Sequence, residues 1–145
     1  MHMEPKTYIM SHAKKRQIEE SVIELLSAKE EVRFAFLFGS FIDDTEETSL
    51  PFHDVDVGVF LSGLDKKESL YYALELSDEL SLLVNVPVDV RVLNFAPVTF
   101  LFHVVRGKLI IDKDWEDRSD FMEHVVRHYL DMEPLFHRSV KEAYG

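Results

Sequence analysis

The spacing of hydrophobic residues differs from segment to segment along the first half of the chain. Over residues 11–29 the apolar residues recur at the spacing of one helix face, which predicts an amphipathic helix. A phenylalanine-rich run over residues 33–38 ends at Gly39 and predicts a buried strand that enters a tight turn. Residues 54–61 alternate between valine and polar or small residues, which predicts a second strand with one buried face. Residues 41–52, between the two strands, lack periodicity and predict an exposed loop.

The second half of the chain alternates between predicted helices and strands. Helical spacing over residues 67–85 predicts a second helix, closed by Pro87, whose buried face comprises Ala73, Leu76, Leu80 and Leu83. Residues 88–92 alternate like the second strand and predict a third. Three more elements complete the prediction. A short helix follows Pro97, a residue suited to the first helical position, and ends near Gly107. A strand over residues 109–111 and a final helix from Trp115, which Pro134 kinks or ends, come after it.

Length and composition indicate one folded unit. The chain has 145 residues, of which 46% are hydrophobic and 30% charged, and about 100 to 200 residues are typical of one domain. No internal repeat or linker interrupts it. We therefore expect a single domain over residues 1–145, of the α/β (α+β) class, with a small mixed sheet and helices packed mainly on one face.

Charge and cysteine content exclude several classes of function. The chain has 16 Lys and Arg against 27 Asp and Glu, a net charge of −11, which argues against direct binding of nucleic-acid backbones. Without cysteine there is no disulfide, thiolate zinc site or cysteine nucleophile. The longest uncharged stretch, residues 92–105, is too short for a membrane span of about 20 residues. The first residues lack a secretory signal, so we expect a cytoplasmic protein without membrane contact.

Three aspartates on the predicted strands form a candidate metal site. Asp54 and Asp56 point to the same side of one strand, and Asp89 lies on the next. If these strands are neighbours, the three carboxylates converge and repel one another unless a cation neutralises them. Oxygen ligands in this number favour Mg²⁺ or Mn²⁺.

Gly39 and Ser40 follow the first strand and form a candidate phosphate site. Glycine permits close approach of the backbone, and serine offers a hydroxyl beside free N–H groups. An anion site next to a divalent-metal site is what the chemistry of nucleoside triphosphates requires.

In this order, Gly39-Ser40, Asp54-Val55-Asp56 and Asp89 resemble the polymerase β nucleotidyltransferase superfamily. The likeness narrows to the minimal nucleotidyltransferases (MNT), the antitoxin half of HEPN/MNT toxin–antitoxin pairs. It covers most of the chain, including the run of residues 104–109 and the late Tyr-Leu-Asp at 129–131. The resemblance implies a polymerase-β-like nucleotidyltransferase fold.

The resemblance also implies a role for each candidate residue. Gly39 and Ser40 would hold the β and γ phosphates, and Asp54 and Asp56 would bind both metals. Asp89 would complete the catalytic metal site and could accept the proton of the incoming hydroxyl. The reaction implied is transfer of AMP from ATP, with release of pyrophosphate, to a hydroxyl of a protein partner, a HEPN toxin.

The sequence departs from the family pattern after Ser40. The thirteen residues between Ser40 and Asp54 exceed the family's usual spacing, and the frequent Ala-Arg-Gly run is replaced by residues 42–44, Ile-Asp-Asp. Acids in place of a base next to a triphosphate should weaken nucleotide binding unless the loop turns away or the acids recruit metal. A rival interpretation is therefore an antitoxin with a weak or inactive site that neutralises its partner by binding. Transfer of AMP to a small molecule or an RNA end is a third.

Other polar residues have structural interpretations. We expect the acids over residues 43–47 to form a solvated loop and His53 to have a structural role. His124 and His128 lie one helical turn apart without the glutamate of a zinc motif, so we expect an exposed helix face. Arg91 shares a face with Asp89 and could pair with the acids or contact a phosphate.

Overall fold

The structure is a computed structural model that describes residues 6–144, with side chains described for residues 6–135. All predicted helices and strands are present, with ends shifted by a few residues at most, except that the last helix continues past Pro134. In chain order they are α1 His12–Ser27, β1 Val32–Phe38, β2 Val55–Leu61, α2 Lys66–Val84, β3 Val88–Val92, α3 Val98–Val105, β4 Lys108–Asp112 and α4 Trp115–Tyr144. A short 3-10 turn, Ser40–Ile42, follows β1.

The four strands form one mixed sheet in the order β3-β2-β1-β4. β1 runs antiparallel to β2 and β4, whereas β2 and β3 are parallel. The end of β1 and the starts of β2 and β3 therefore share one edge of the sheet, and this edge carries the candidate site. The α/β class with a small mixed sheet is confirmed.

Both faces of the sheet are covered by helices. The valines of β2 pack with α1 and α2 in one core cluster. Phe34, Phe36 and Phe38 of β1 point the other way and pack with α3 and the first part of α4. The expectation of helices mainly on one face missed this second layer, because phenylalanines on alternate positions of β1 also need apolar cover.

α2 has clear start and stop signals and lies against the outer edge of β3. Asp65 and Glu68 form a capping box, and the helix ends at Asn85 in the left-handed conformation. The hydroxyls of Ser77 and Ser81 accept hydrogen bonds from the amides of Val90 and Val88, at 2.9 and 2.8 Å. The β3 edge of the sheet is thereby protected from pairing with another chain.

Three details of the helices differ from the predictions. Leu83 is 53% exposed, because the buried face of α2 continues through Val84, which packs on the core. Pro97 is the residue before α3 rather than its first residue. Of the two effects predicted for Pro134, a kink or an end, the end is wrong, because α4 continues to Tyr144. None of the helices in the described residues is long and apolar enough to cross a membrane.

Candidate active site

The structure brings the three predicted aspartates together at the edge where β1 ends and β2 and β3 begin. Asp56 is paired with Phe38 on one side and with Asp89 on the other, and Asp54 directly precedes β2. One carboxylate oxygen from each aspartate lies within 4.8 Å of the other two. Because the flanking valines are buried, alternation directs the aspartates to the opposite face.

The electrostatics of this cluster are unfavourable without a cation. Burial raises the pKa of Asp56 to about 6, and the charges of Asp54 and Asp89 add to the effect, while Arg91 opposes it. The Arg91 Nε donates to Asp89 Oδ2 at 3.1 Å, and the guanidinium lies 5.6 Å from the centre of the Phe100 ring. Of the two roles considered for Arg91, the structure shows the pairing with an acid, Asp89.

The donor set fits a hard divalent cation. All three ligand groups are carboxylates, their oxygens lie close enough to share one ion, and their mutual repulsion is what such an ion removes. Asp54, Asp56 and Asp89 are the residues that would hold it.

Gly39 contacts the aspartate cluster directly. Its φ of 81° lies in the region that favours glycine. A Cβ atom at this position would lie 2.3 Å from Asp56 Oδ2, so no other residue fits without displacing the carboxylate. Ser40 is exposed and begins the 3-10 turn. The candidate phosphate site and the candidate metal site are therefore adjacent.

The acidic loop after Ser40 is partly anchored by Lys15. This lysine is 5% exposed, and its Nζ donates to Asp44 Oδ1 at 2.7 Å and to the carbonyls of Leu50 at 2.9 Å and Phe41 at 3.3 Å. Burial alone would raise the pKa of Asp44, but hydrogen bonds from Lys15 and the Leu50 amide outweigh it and hold that pKa below its ordinary value. Asp44 is thus bound to α1.

This finding corrects the prediction of a wholly exposed loop. Phe41 and Phe52 are buried with their rings in edge contact, and Phe52 pairs with Tyr8 in an isolated bridge. Asp43 and the two glutamates that follow are exposed, as predicted. Of the two acids that stand in place of the Ala-Arg-Gly run, Asp43 alone lines a cleft together with Gly39.

Two cavities flank the aspartates. On the β1 side, a cleft of about 310 Å³ is lined by Gly39 and Asp43 together with Phe38, Ile42, His103, Arg106 and Gly107. On the β3 side, a larger groove of about 720 Å³ starts at Asp89 and runs along α2, where its walls include Leu70, Leu74, Phe95 and Phe100. We call the first the arginine cleft and the second the apolar groove.

The family follows from a comparison with known proteins. Residues 20–116 match the family model described as Polymerase beta, Nucleotidyltransferase. The chain belongs to this nucleotidyltransferase family. No curated protein matches its sequence significantly.

Solved structures share the fold of this chain at low sequence identity. A tri-AMPylated Shewanella oneidensis HEPN toxin in complex with MNT antitoxin matches with a TM-score of 0.67 and 19% identity, over 90% of this chain and 99% of the other. The toxin–antitoxin MntA–HepT matches with a TM-score of 0.66 and 19% identity, over 90% and 99%. A toxin–antitoxin with AMP-PNP matches with a TM-score of 0.66 and 20% identity, over 88% and 98%.

The histidines singled out in the sequence do not belong to the aspartate cluster. His53 is exposed, with its Nδ1 3.0 Å from the carbonyl oxygen of Lys6, so it ties the N-terminal segment to the start of β2. His124 and His128 are exposed on α4, with ring centres 5.8 Å apart. Among the residues with described side chains, only the three aspartates form a group suited to a metal.

Sequence reasoning missed two basic residues near the site. Lys15 lies in the basic run of residues 14–16, yet it shares the buried helix face of Ile18, Val22 and Leu26, and that spacing was the available signal. Arg106 lies in the run of residues 104–109, whose only signal in the sequence is its likeness to the family. Nothing local in the sequence indicates that this run returns to Gly39.

Proposed function

We propose that the protein is a Mg²⁺-dependent nucleotidyltransferase, able to use Mn²⁺ instead, that transfers AMP from ATP to a hydroxyl of a protein partner and releases pyrophosphate. The observation that carries this proposal is the convergence of three carboxylates within 4.8 Å next to the Gly39 turn. A bound divalent ion would neutralise phosphate charge and lower the pKa of the attacking oxygen. ATP is an intracellular substrate, so the proposed location is the cytoplasm.

The order of the strands supports in-line transfer at the α-phosphorus. Because β2 lies between β3 and β1, Asp89 and Gly39 lie on opposite sides of Asp56. An acceptor hydroxyl that approaches Asp89 would attack from one side, and Asp89 would take its proton as general base. Pyrophosphate would leave on the other side, along the Gly39–Ser40 turn. Attacking and leaving oxygens need this opposed arrangement.

We propose a HEPN-type toxin as the acceptor. The support is the fold shared with an MNT antitoxin in complex with a tri-AMPylated HEPN toxin, together with the apolar groove, which gives a protein segment access to Asp89. The net charge of −11 suits a basic partner. The chain would then act as the antitoxin that modifies and silences its toxin.

The test is to incubate the protein with ATP, Mg²⁺ and the HEPN protein encoded beside it, and to measure the mass of that protein. We expect an increase by one or more AMP groups, and no increase with the Asp56→Asn variant. Asp78→Asn, which changes an exposed aspartate of α2, is the matched control and should remain active. An unmodified HEPN partner, with both proteins folded, would refute the proposal.

A second candidate function is neutralisation by binding alone. One observation favours it: Asp43 places a negative charge in the arginine cleft, beside the candidate phosphate site. The double change of Asp54 and Asp56 to asparagine separates the two functions. If toxicity in cells is still suppressed by that variant, occlusion is the mechanism; if suppression is lost while the complex still forms, catalysis is required.

A further inference from the structure

Arg106 projects from the turn between α3 and β4, which is packed tightly on the end of β1. A Cβ atom on Gly107 would lie 2.2 Å from the carbonyl oxygen of Leu37, so only glycine allows this contact. The Gly107 amide donates to the Val104 carbonyl at 2.9 Å and closes the turn. This turn thereby holds Arg106 close to Gly39, although the two residues are far apart in the sequence.

We propose that Arg106 binds the terminal phosphates of the nucleotide and takes over the role of the basic residue that the loop after Ser40 lacks. This inference rests on the proposed nucleotidyl transfer. It assigns to the arginine cleft the pyrophosphate portion of ATP, the part that leaves in the reaction.

The cleft has the position and size for that portion. Gly39 belongs both to the cleft and to the aspartate site, since it lines the first and touches Asp56 in the second. A phosphate chain that starts at the aspartates can therefore continue past Gly39 into the cleft. Its volume of about 310 Å³ lies at the low end of ligand pockets, about 300 to 1,000 Å³, and suits part of a nucleotide.

The guanidinium of Arg106 is available to an anion. Four other arginines pair with carboxylates, namely Arg33, Arg91, Arg118 and Arg127. Within the part of the chain whose side chains are described, Arg106 has no such pair. It lies over the Phe102 ring at 5.6 Å, and that ring stacks on Tyr129 at 3.8 Å. Stacking orients the group without using its N–H donors, which match two phosphate oxygens at once.

The local charges explain why such a residue is needed. The chain carries a net charge of −11, and Asp43 lines the same cleft, so a polyphosphate meets repulsion there. The positive charge of Arg106, which lines the same cleft, offsets the negative charge of Asp43. Asp44 is already neutralised by Lys15. Arg106 and Asp43 should consequently have opposite effects on the affinity for ATP.

Calorimetric titration of the protein with ATP, AMP and pyrophosphate, each with Mg²⁺, tests the assignment. We expect Arg106→Ala to weaken ATP and pyrophosphate binding about tenfold to a hundredfold and to leave AMP binding unchanged. Arg106→Lys should restore part of the loss, and Asp43→Asn should strengthen ATP binding. The matched control is Arg127→Ala, on the exposed face of α4, which should bind all three ligands like the unchanged protein.

The outcomes separate this inference from the function on which it rests. If the unchanged protein binds ATP and Arg106→Ala binds it equally well, or loses ATP and AMP binding alike, the role of Arg106 is refuted and nucleotidyl transfer stands. If the unchanged protein binds neither ATP nor pyrophosphate in the presence of Mg²⁺, both proposals are refuted. Circular dichroism of each variant establishes that it is folded.

Discussion

Replacing Asp56 with asparagine should stabilise the metal-free protein while it abolishes nucleotidyl transfer. Asp56 is half-buried among Asp54 and Asp89, and burial together with these charges raises its pKa to about 6. Asparagine has nearly the same shape and no charge, so the variant removes the repulsion and keeps the packing. A residue that costs stability in the fold and is needed for a reaction is characteristic of an active site.

The magnitude follows from the pKa. The rise from an ordinary 3.8 to about 6 corresponds to about 3 kcal/mol, because each pH unit is worth about 1.4 kcal/mol. Water reaches this half-exposed site and screens the charges, so we expect a gain of about 1 to 2 kcal/mol in the free energy of unfolding at pH 7.5.

The gain should depend on pH in a defined direction. Between pH 3.8 and about 6, the folded protein holds a proton on Asp56 more tightly than the unfolded chain does, so this group's contribution to stability falls as pH rises. Below that window the carboxyl is neutral in both states and the penalty is absent. Above it the penalty is complete. The two proteins should therefore differ most at neutral pH and converge towards pH 4.

Urea denaturation in EDTA at pH 4.5 and pH 7.5 measures the effect, with Asp120→Asn, a change of an exposed aspartate on α4, as the control. A second readout is Mg²⁺, which should raise the melting temperature of the unchanged protein and not that of Asp56→Asn, because a ligand of the folded state stabilises it. If Asp56→Asn is no more stable than the unchanged protein at pH 7.5, or if the difference persists undiminished at pH 4.5, the reasoning is wrong.

Two further changes test the elements around the site. Gly39→Ala should lose nucleotidyl transfer and unfold at a lower urea concentration than Gly63→Ala. Both glycines have a φ near 80°, but only at Gly39 would the new Cβ atom clash with a carboxylate. Equal stability of the two variants in urea would contradict this clash. Lys15→Met should cost about 2 to 4 kcal/mol in the free energy of unfolding, because it leaves Asp44 half-buried without its cation. Adding Asp44→Asn to Lys15→Met should recover part of that cost. If Lys15→Met alone lowers the free energy of unfolding by less than about 0.5 kcal/mol, the usual range for surface changes, the ion pair does not anchor the loop.

The spacing of apolar residues predicted the helices and strands well, and it failed where tertiary packing selects among similar positions. Leu83 and Val84 are equally apolar, yet only the second packs on the core. Lys15 has the spacing of a buried residue and the charge of an exposed one. Its burial is decided by acceptors from the loop at residues 41–50, which no local pattern contains.

The sequence by itself determined which side chains share a face, because alternation along a strand is a local consequence of backbone geometry. Alternation requires the side chains of Asp54 and Asp56 to point to the same face of the sheet. Only the tertiary structure decided that Asp89 lies beside Asp56, that Gly39 touches the same carboxylate, and that Arg106 returns to that glycine. Strand order and the contacts between distant residues depend on how the whole chain buries its apolar surface. No single segment of the sequence contains that information.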